Sequence, residues 1–242
     1  DGVPVPQQAN SKVTYVSRLQ CVCASVDAQL EQWKKDVPDK KVGLITFNRE
    51  VTIIGDGSGP EEVVAGDKLS NQRQLQDIGK KHVINQPIRE TSKTLSDKLF
   101  SLSETGPTAL GPALLIGIEM ASHKPGSTVV VCTDGLANVG IGALDKKDDA
   151  EREKVEEWYE SMGNLAKLAG VTVSVVSIKG DECALEDLGK VAEATGGTVE
   201  RVNPMELTKN FGSILANPII ATNVNATFFL HRGLKFRNED KD

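Results

Sequence analysis

Gly106-Pro107-Thr108-Ala109-Leu110-Gly111-Pro112-Ala113-Leu114, followed by the apolar run Thr128-Val129-Val130-Val131-Cys132 and its end Thr133-Asp134-Gly135, decides the fold. The first stretch sets a threonine at the mouth of a helix, with Pro112 in the opening turn, where proline suits a helix start. The second reads as a buried strand that stops at an aspartate. Thr108 and Asp134 therefore offer two oxygen-bearing groups that a hard cation could share.

Working outward, Val16, Leu19, Cys23, Val26, Leu30 and Trp33 recur at steps of three and four, which predicts one amphipathic helix to about Lys35. Residues 1–11 carry two prolines and no period, so they read as a loop. Residues 41–47 and 51–54 read as two strands of a hairpin joined by Asn48-Arg49-Glu50. Helices follow over about 72–81 and 92–102, then from the opening motif to about Ser122. Val155, Trp158, Met162, Leu165 and Ala169 mark another helical face, and residues 171–178 form a β-branched strand. A helix on Leu185, Leu188 and Ala192 is stopped by Gly196-Gly197, residues 198–202 are a short strand, 204–215 a helix, and 219–230 a last extended run. Strand and helix alternate after the first hairpin. That pattern predicts an α/β fold with helices on both faces of the sheet.

Bulk composition narrows the function. A chain of 242 residues builds one α/β domain, with at most a short appendage. The net charge of −6 and an aromatic content of 4% oppose a phosphate-tracking or base-stacking surface, so no nucleic-acid partner is expected. No run reaches the length of a membrane span and no signal peptide opens the chain, although residue 1 is Asp and something upstream is expected to be missing. Cys21, Cys23, Cys132 and Cys183 lack both Cys-x-x-Cys spacing and the density of a disulfide scaffold, which reads as reduced thiols in a cytoplasmic protein. Cys132 is expected in the core of its strand.

Enzymatic and cofactor readings of the motif fail on specific residues. Gly106 and Gly111 have the spacing of a phosphate loop, but Pro112 and Ala113 stand where Lys and Ser or Thr are required. Gly55-Asp56-Gly57-Ser58-Gly59 lacks the third glycine of a dinucleotide fingerprint and reads as a turn. There is no Gly-x-Ser-x-Gly elbow, and His82, His123 and His231 stand in no motif. Thr108 could instead be a helix N-cap and Asp134-Gly135 a plain turn. The charged run from Asp145 to Glu157 is mixed in sign and reads as a solvated helix start.

Val42-Gly43-Leu44-Ile45-Thr46-Phe47-Asn48, the 106–114 motif and Val131-Cys132-Thr133-Asp134-Gly135, in this order, resemble a von Willebrand factor A (VWA) domain from about Ser11 to Asn217. The resemblance implies a doubly wound, Rossmann-like, mostly parallel sheet with helices on both faces. It also implies Mg²⁺ at a metal-ion-dependent adhesion site, with Thr108 as the second-loop ligand, Asp134 as the third-loop carboxylate, and a partner protein's carboxylate completing the metal. The family's first loop, Asp-x-Ser-x-Ser, occurs nowhere in the chain; Asp56-Gly57-Ser58-Gly59-Pro60 has Pro in place of the second Ser and follows the hairpin. The first, central strand is thus expected to precede Asp1, which leaves residues 11–217 as an N-terminally truncated domain. Such a chain is expected to be unstable alone and to bind Mg²⁺ weakly or not at all. Residues 218–242 read as an extra strand and polar tail, or the start of a following β domain. The expected function is non-catalytic binding of an acidic residue on a partner protein through the metal. The alternative is a structural or regulatory module of a larger machine with no functional metal site.

Overall fold

The computed structural model describes residues 2–4, 15–103, 106–133, 137–144, 148–178, 185–203, 207, 227, 229–231 and 233. Asp134, Cys183 and most of the expected helix 204–215 and run 219–230 lie outside the described residues. In chain order the elements are β1 (Gly2–Pro4), β2 (Tyr15–Ser17), α1 (Arg18–Asp36), β3 (Leu44–Phe47), β4 (Val51–Gly55), β5 (Glu62–Val64), α2 (Gln72–Lys81), α3 (Ile88–Phe100), α4 (Leu110–Ala121), β6 (Thr128–Thr133), α5 (Asp149–Leu168), β7 (Thr172–Ile178), α6 (Leu185–Thr195) and β8 (Val199–Val202). The α/β class and the helices on both faces are as the sequence predicts.

The beginning of the chain differs from the predicted loop. β1 pairs antiparallel with β2, Gly2 opposite Ser17 and Pro4 opposite Tyr15. Proline is compatible with a strand that has no further neighbour to bond, and this pair is two strands wide. Ser17 then caps α1 reciprocally: its hydroxyl accepts from the Gln20 N–H at 3.1 Å, while the Gln20 side chain accepts from the Ser17 N–H at 2.9 Å.

The main sheet is split. β3, β4 and β5 form an antiparallel set, and β6, β7 and β8 a parallel one; among the described residues no strand joins β3 to β6. The two inner strands point the same way. Asn48, which follows β3, accepts from the Ala109 N–H at 2.7 Å, and Asn138, beyond the end of β6, bonds Thr108, so both carboxyl ends meet the same loop.

Two helices hold the halves together from opposite faces. α4 is buried at every position from Leu110 to Met120 except Gly117. A Cβ at Gly117 would lie 3.6 Å from Val129 of β6 and 3.7 Å from Ile45 of β3, so this glycine spans both inner strands. On the other face α1 sets Val22 and Val26 against Val130, Cys132 and Val176, while Val26 also joins the cluster of Leu44, Ile54, Ile88 and Leu95. Between these helices the facing edges of β3 and β6 have no strand partner among the described residues. Cys132, expected in the core, packs against the buried Val176, Ile178 and Val202, and burial pushes its thiol up to about 12.

Candidate functional site

The carboxyl ends of β3 and β6 converge on the loop that leads into α4. Thr108 is held there by its backbone. Its N–H donates to Asn138 Oδ1 at 2.6 Å, and its carbonyl accepts from the N–H groups of Asn138 and Val139 at 3.1 and 3.3 Å. Ala109, not Thr108, is the N-cap of α4, and it makes no side-chain capping bond. The half-buried Thr108 hydroxyl consequently has no hydrogen-bond partner among the described residues, which removes the purely capping reading.

The second glycine of the motif has a packing reason. A Cβ at Gly111 would overlap the carbonyl oxygen of Ile141, so only glycine lets the start of α4 lie against the 137–144 loop. That loop is fastened from the far side by α5. The buried Tyr159 hydroxyl donates to the Gly142 carbonyl at 3.0 Å, and the Ile141 N–H bonds Leu69 O at 2.9 Å. Burial, then the nearby Asp187 carboxylate, pushes the Tyr159 phenol well above its usual range, and Arg152 opposes this. It stays a neutral donor. Asp187 is itself buried beside Arg152, at 3.1 Å, and burial raises its pKa more than Arg152 lowers it.

The hairpin tip forms the other wall. Phe47 pairs with Val51, which leaves a three-residue loop, Asn48-Arg49-Glu50. Asn48 Oδ1 accepts from the Glu50 N–H at 3.0 Å, an Asx turn, while its carbonyl ties the tip to Ala109. A cavity of about 300 Å³ opens between the tip and Gly106-Pro107, lined by Asn48, Arg49, Glu50, Gly106 and Pro107. Sequence reasoning picked out Thr108 but missed Asn138, which holds it, and Asn48, which holds the adjoining Ala109. Neither carries a local signal, since their partners lie in loops distant in sequence.

The donor set does not fit a hard divalent cation by itself. Mg²⁺ takes six oxygens in near-octahedral array. The described residues supply one free hydroxyl, from Thr108, and among them no three His, Cys, Asp or Glu side chains cluster. Asp134 lies outside the described residues. The Asp56 turn is structural: its carboxylate accepts from the Ser58 N–H and hydroxyl and from the Asn85 and Gln86 N–H groups. Burial pushes this carboxyl up, but the Gln86, Ser58 and Asn85 bonds outweigh it and hold the group below its usual range. It is a loop staple, as the failed motif suggested.

Comparison with known proteins places this geometry. Residues 11–217 match the Sec23/Sec24 trunk domain family. Over 236 residues the chain is 36% identical to "Circularly permutated Ras protein 1" of Dictyostelium discoideum; this covers 96% of the chain but 28% of that protein. In structure it is similar to the human COPII-coat protein Sec24c, with a TM-score of 0.58 at 13% identity, over 81% of this chain and 30% of that one. It is also similar to a von Willebrand factor type A protein from Catenulispora acidiphila, with a TM-score of 0.51 at 14% identity, over 81% and 37% of the two chains. Proximal thread matrix protein 1 of the mussel byssus gives 0.52 at 15% identity, over 84% and 42%. At these identities the structural likenesses speak for the fold.

Proposed function

The chain belongs to the Sec23/Sec24 trunk domain family, a VWA-like fold, and from that premise we propose that it is a non-catalytic, protein-binding module of a longer cytoplasmic protein. It receives a carboxylate of a partner protein at the Thr108 end of the sheet. The supporting observation is the Thr108 hydroxyl, half-buried and without a partner among the described residues, on a loop fixed by Asn138 and Asn48. In the full-length protein, Thr108→Ala and Asp134→Ala are expected to abolish binding of a fluorescein-labelled (Gly-Asp)₆ peptide in millimolar Mg²⁺ without changing the far-UV circular dichroism. Unchanged peptide binding removes this reading.

The metal-assisted form of this function belongs to the intact protein. Mg²⁺ there requires ligands from a loop before Asp1 besides Thr108 and Asp134, and within this chain metal binding is weak or absent. The same shortage of ligands favours a second reading, a structural or regulatory module of a larger assembly with no functional metal.

Residues 11–217 form a unit completed by one more strand, supplied from before Asp1 and lying in the slot between β3 and β6. What supports this is the course of α1. Its last turn leads through Pro38–Lys40 to the start of β3, so its first turn stands at the carboxyl end of the sheet. Gly2 pairs with Ser17 there, and a strand parallel to β3 and β6 would finish beside it. For residues 218–242 the proposal stays an extra strand and polar tail, or the start of a following β domain.

A further inference from the structure

We infer that Arg49, rather than a metal ion, supplies the cationic contact for the partner's carboxylate at this site; the inference rests on the carboxylate-binding reading above. Arg49 is the middle residue of the three-residue hairpin tip, exposed, on the wall of the cavity whose opposite wall is Gly106-Pro107, directly before Thr108. Among the described residues it makes no ion pair, although Glu50 is its neighbour and lines the same cavity.

Its backbone is nonetheless fixed. Asn48 closes the tip through the Glu50 N–H and bonds it to the α4 loop through the Ala109 N–H, so the guanidinium swings from a rigid base held against the Thr108 loop. Preorganisation of this kind reduces what binding loses in ordering. A guanidinium presents a planar fork of donors that matches a carboxylate bidentately. A permanent positive charge on that rim gives an acidic side chain a partner that chelation cannot remove. In a chain of net charge −6, it also gives an approaching acidic segment a local point of attraction.

The test uses the full-length protein with fluorescein-labelled (Gly-Asp)₆ and (Gly-Asn)₆ peptides, followed by fluorescence anisotropy in millimolar Mg²⁺ and in EDTA. Wild type is expected to prefer the aspartate peptide in both buffers, and Arg49→Ala to weaken its binding roughly tenfold in both, since a hydrogen-bonded charge pair is worth at least that factor. Arg49→Lys is expected to fall between, keeping charge but losing the fork. If Arg49→Ala binds as wild type does, the inference is overturned; binding that is then lost in EDTA and in Thr108→Ala leaves the metal-assisted reading standing without Arg49. If wild type does not prefer the aspartate peptide in either buffer, both fall.

Discussion

The two halves of the sheet are built differently, and they are buried differently. β3, β4 and β5 pair antiparallel through short local turns, whereas β6, β7 and β8 run parallel and need α5 and α6 as crossovers. β7, with a partner on each side, is buried at every residue but its first, as strands of covered parallel sheets are. β3 has no buried residue at all and β6 only two, although both lie towards the middle of the molecule between α1 and α4. In an ordinary doubly wound sheet the centre is the driest place. Here the two strands between the covering helices are less buried than β7, as they would be if the proposed further strand belonged between them.

The largest expected effect breaks or keeps that contrast directly. A chain carrying about twelve residues before Asp1 should unfold at a midpoint at least roughly 10 °C above one beginning at Asp1. Each backbone group rescued from an unpaired buried state recovers about 1–3 kcal/mol, and 1 kcal/mol moves the midpoint of a domain this size by about 2–4 °C. Hydrogen exchange gives the residue-level version: in the shorter chain the amides of β3 and β6 exchange ahead of those of β7, and in the longer chain they converge. An unchanged midpoint together with unequal exchange would mean that something else covers the slot.

The halves also differ in how they meet acid. Asp56, at the end of β4, is ionised within four hydrogen bonds, and its carboxyl is held below the ordinary value of 3.8. A depressed folded value means stability that is fully present above the unfolded pKa and lost as pH falls through the folded one. Asp187, which anchors α6 to α5, is raised above 3.8 by burial, so its charge costs stability at neutral pH and acidification relieves that cost. Asp56→Asn should therefore cost about 2 kcal/mol at neutral pH, and the deficit should shrink as pH falls through the depressed folded value, below 3.8, where the wild-type group takes up its proton. Urea unfolding across that range checks it. A variant whose deficit does not shrink on acidification would show that Asp56 acts through shape rather than charge.

What was legible in the sequence divides along physical range. α2 falls where its period placed it, because Asn71 accepts from the Gln74 N–H and marks the start locally. α3 begins four residues earlier than its polar sequence suggested, since Pro87 opens it and Ile88 is carried into the core by tertiary packing. β5 is three residues long, too short for a two-residue period to register, and β1 contains a proline that argues locally against any strand. At the site, Thr108 could be read from its motif. Asn138 and Asn48 could not, because their bonds reach loops far away in the sequence and depend on where β6 and β3 end. The split sheet was readable only as a missing motif. The resemblance implies a further strand between β3 and β6, whose side chains both come within contact of Gly117.

Gly117 also supports the smallest prediction and the one that separates the two forms of the domain most cleanly. Glycine inside a helix costs about 0.5–1 kcal/mol relative to alanine, so its presence in α4 needs a reason. In the chain described here there is none on steric grounds: a methyl group would meet Val129 and Ile45 at 3.6 and 3.7 Å, ordinary contact distances. Gly117→Ala should thus stabilise a chain beginning at Asp1 by about 0.5–1 kcal/mol. A strand lying in the slot would bring its own side chains up beneath α4 at this point, and an added methyl would then crowd them, as overpacked cores do. In the longer chain the same substitution should be neutral or destabilising. The sign of one small free-energy difference, measured by urea unfolding of both forms, then reports whether the space under Gly117 is filled; the same gain in both forms would mean that the strand does not pass there.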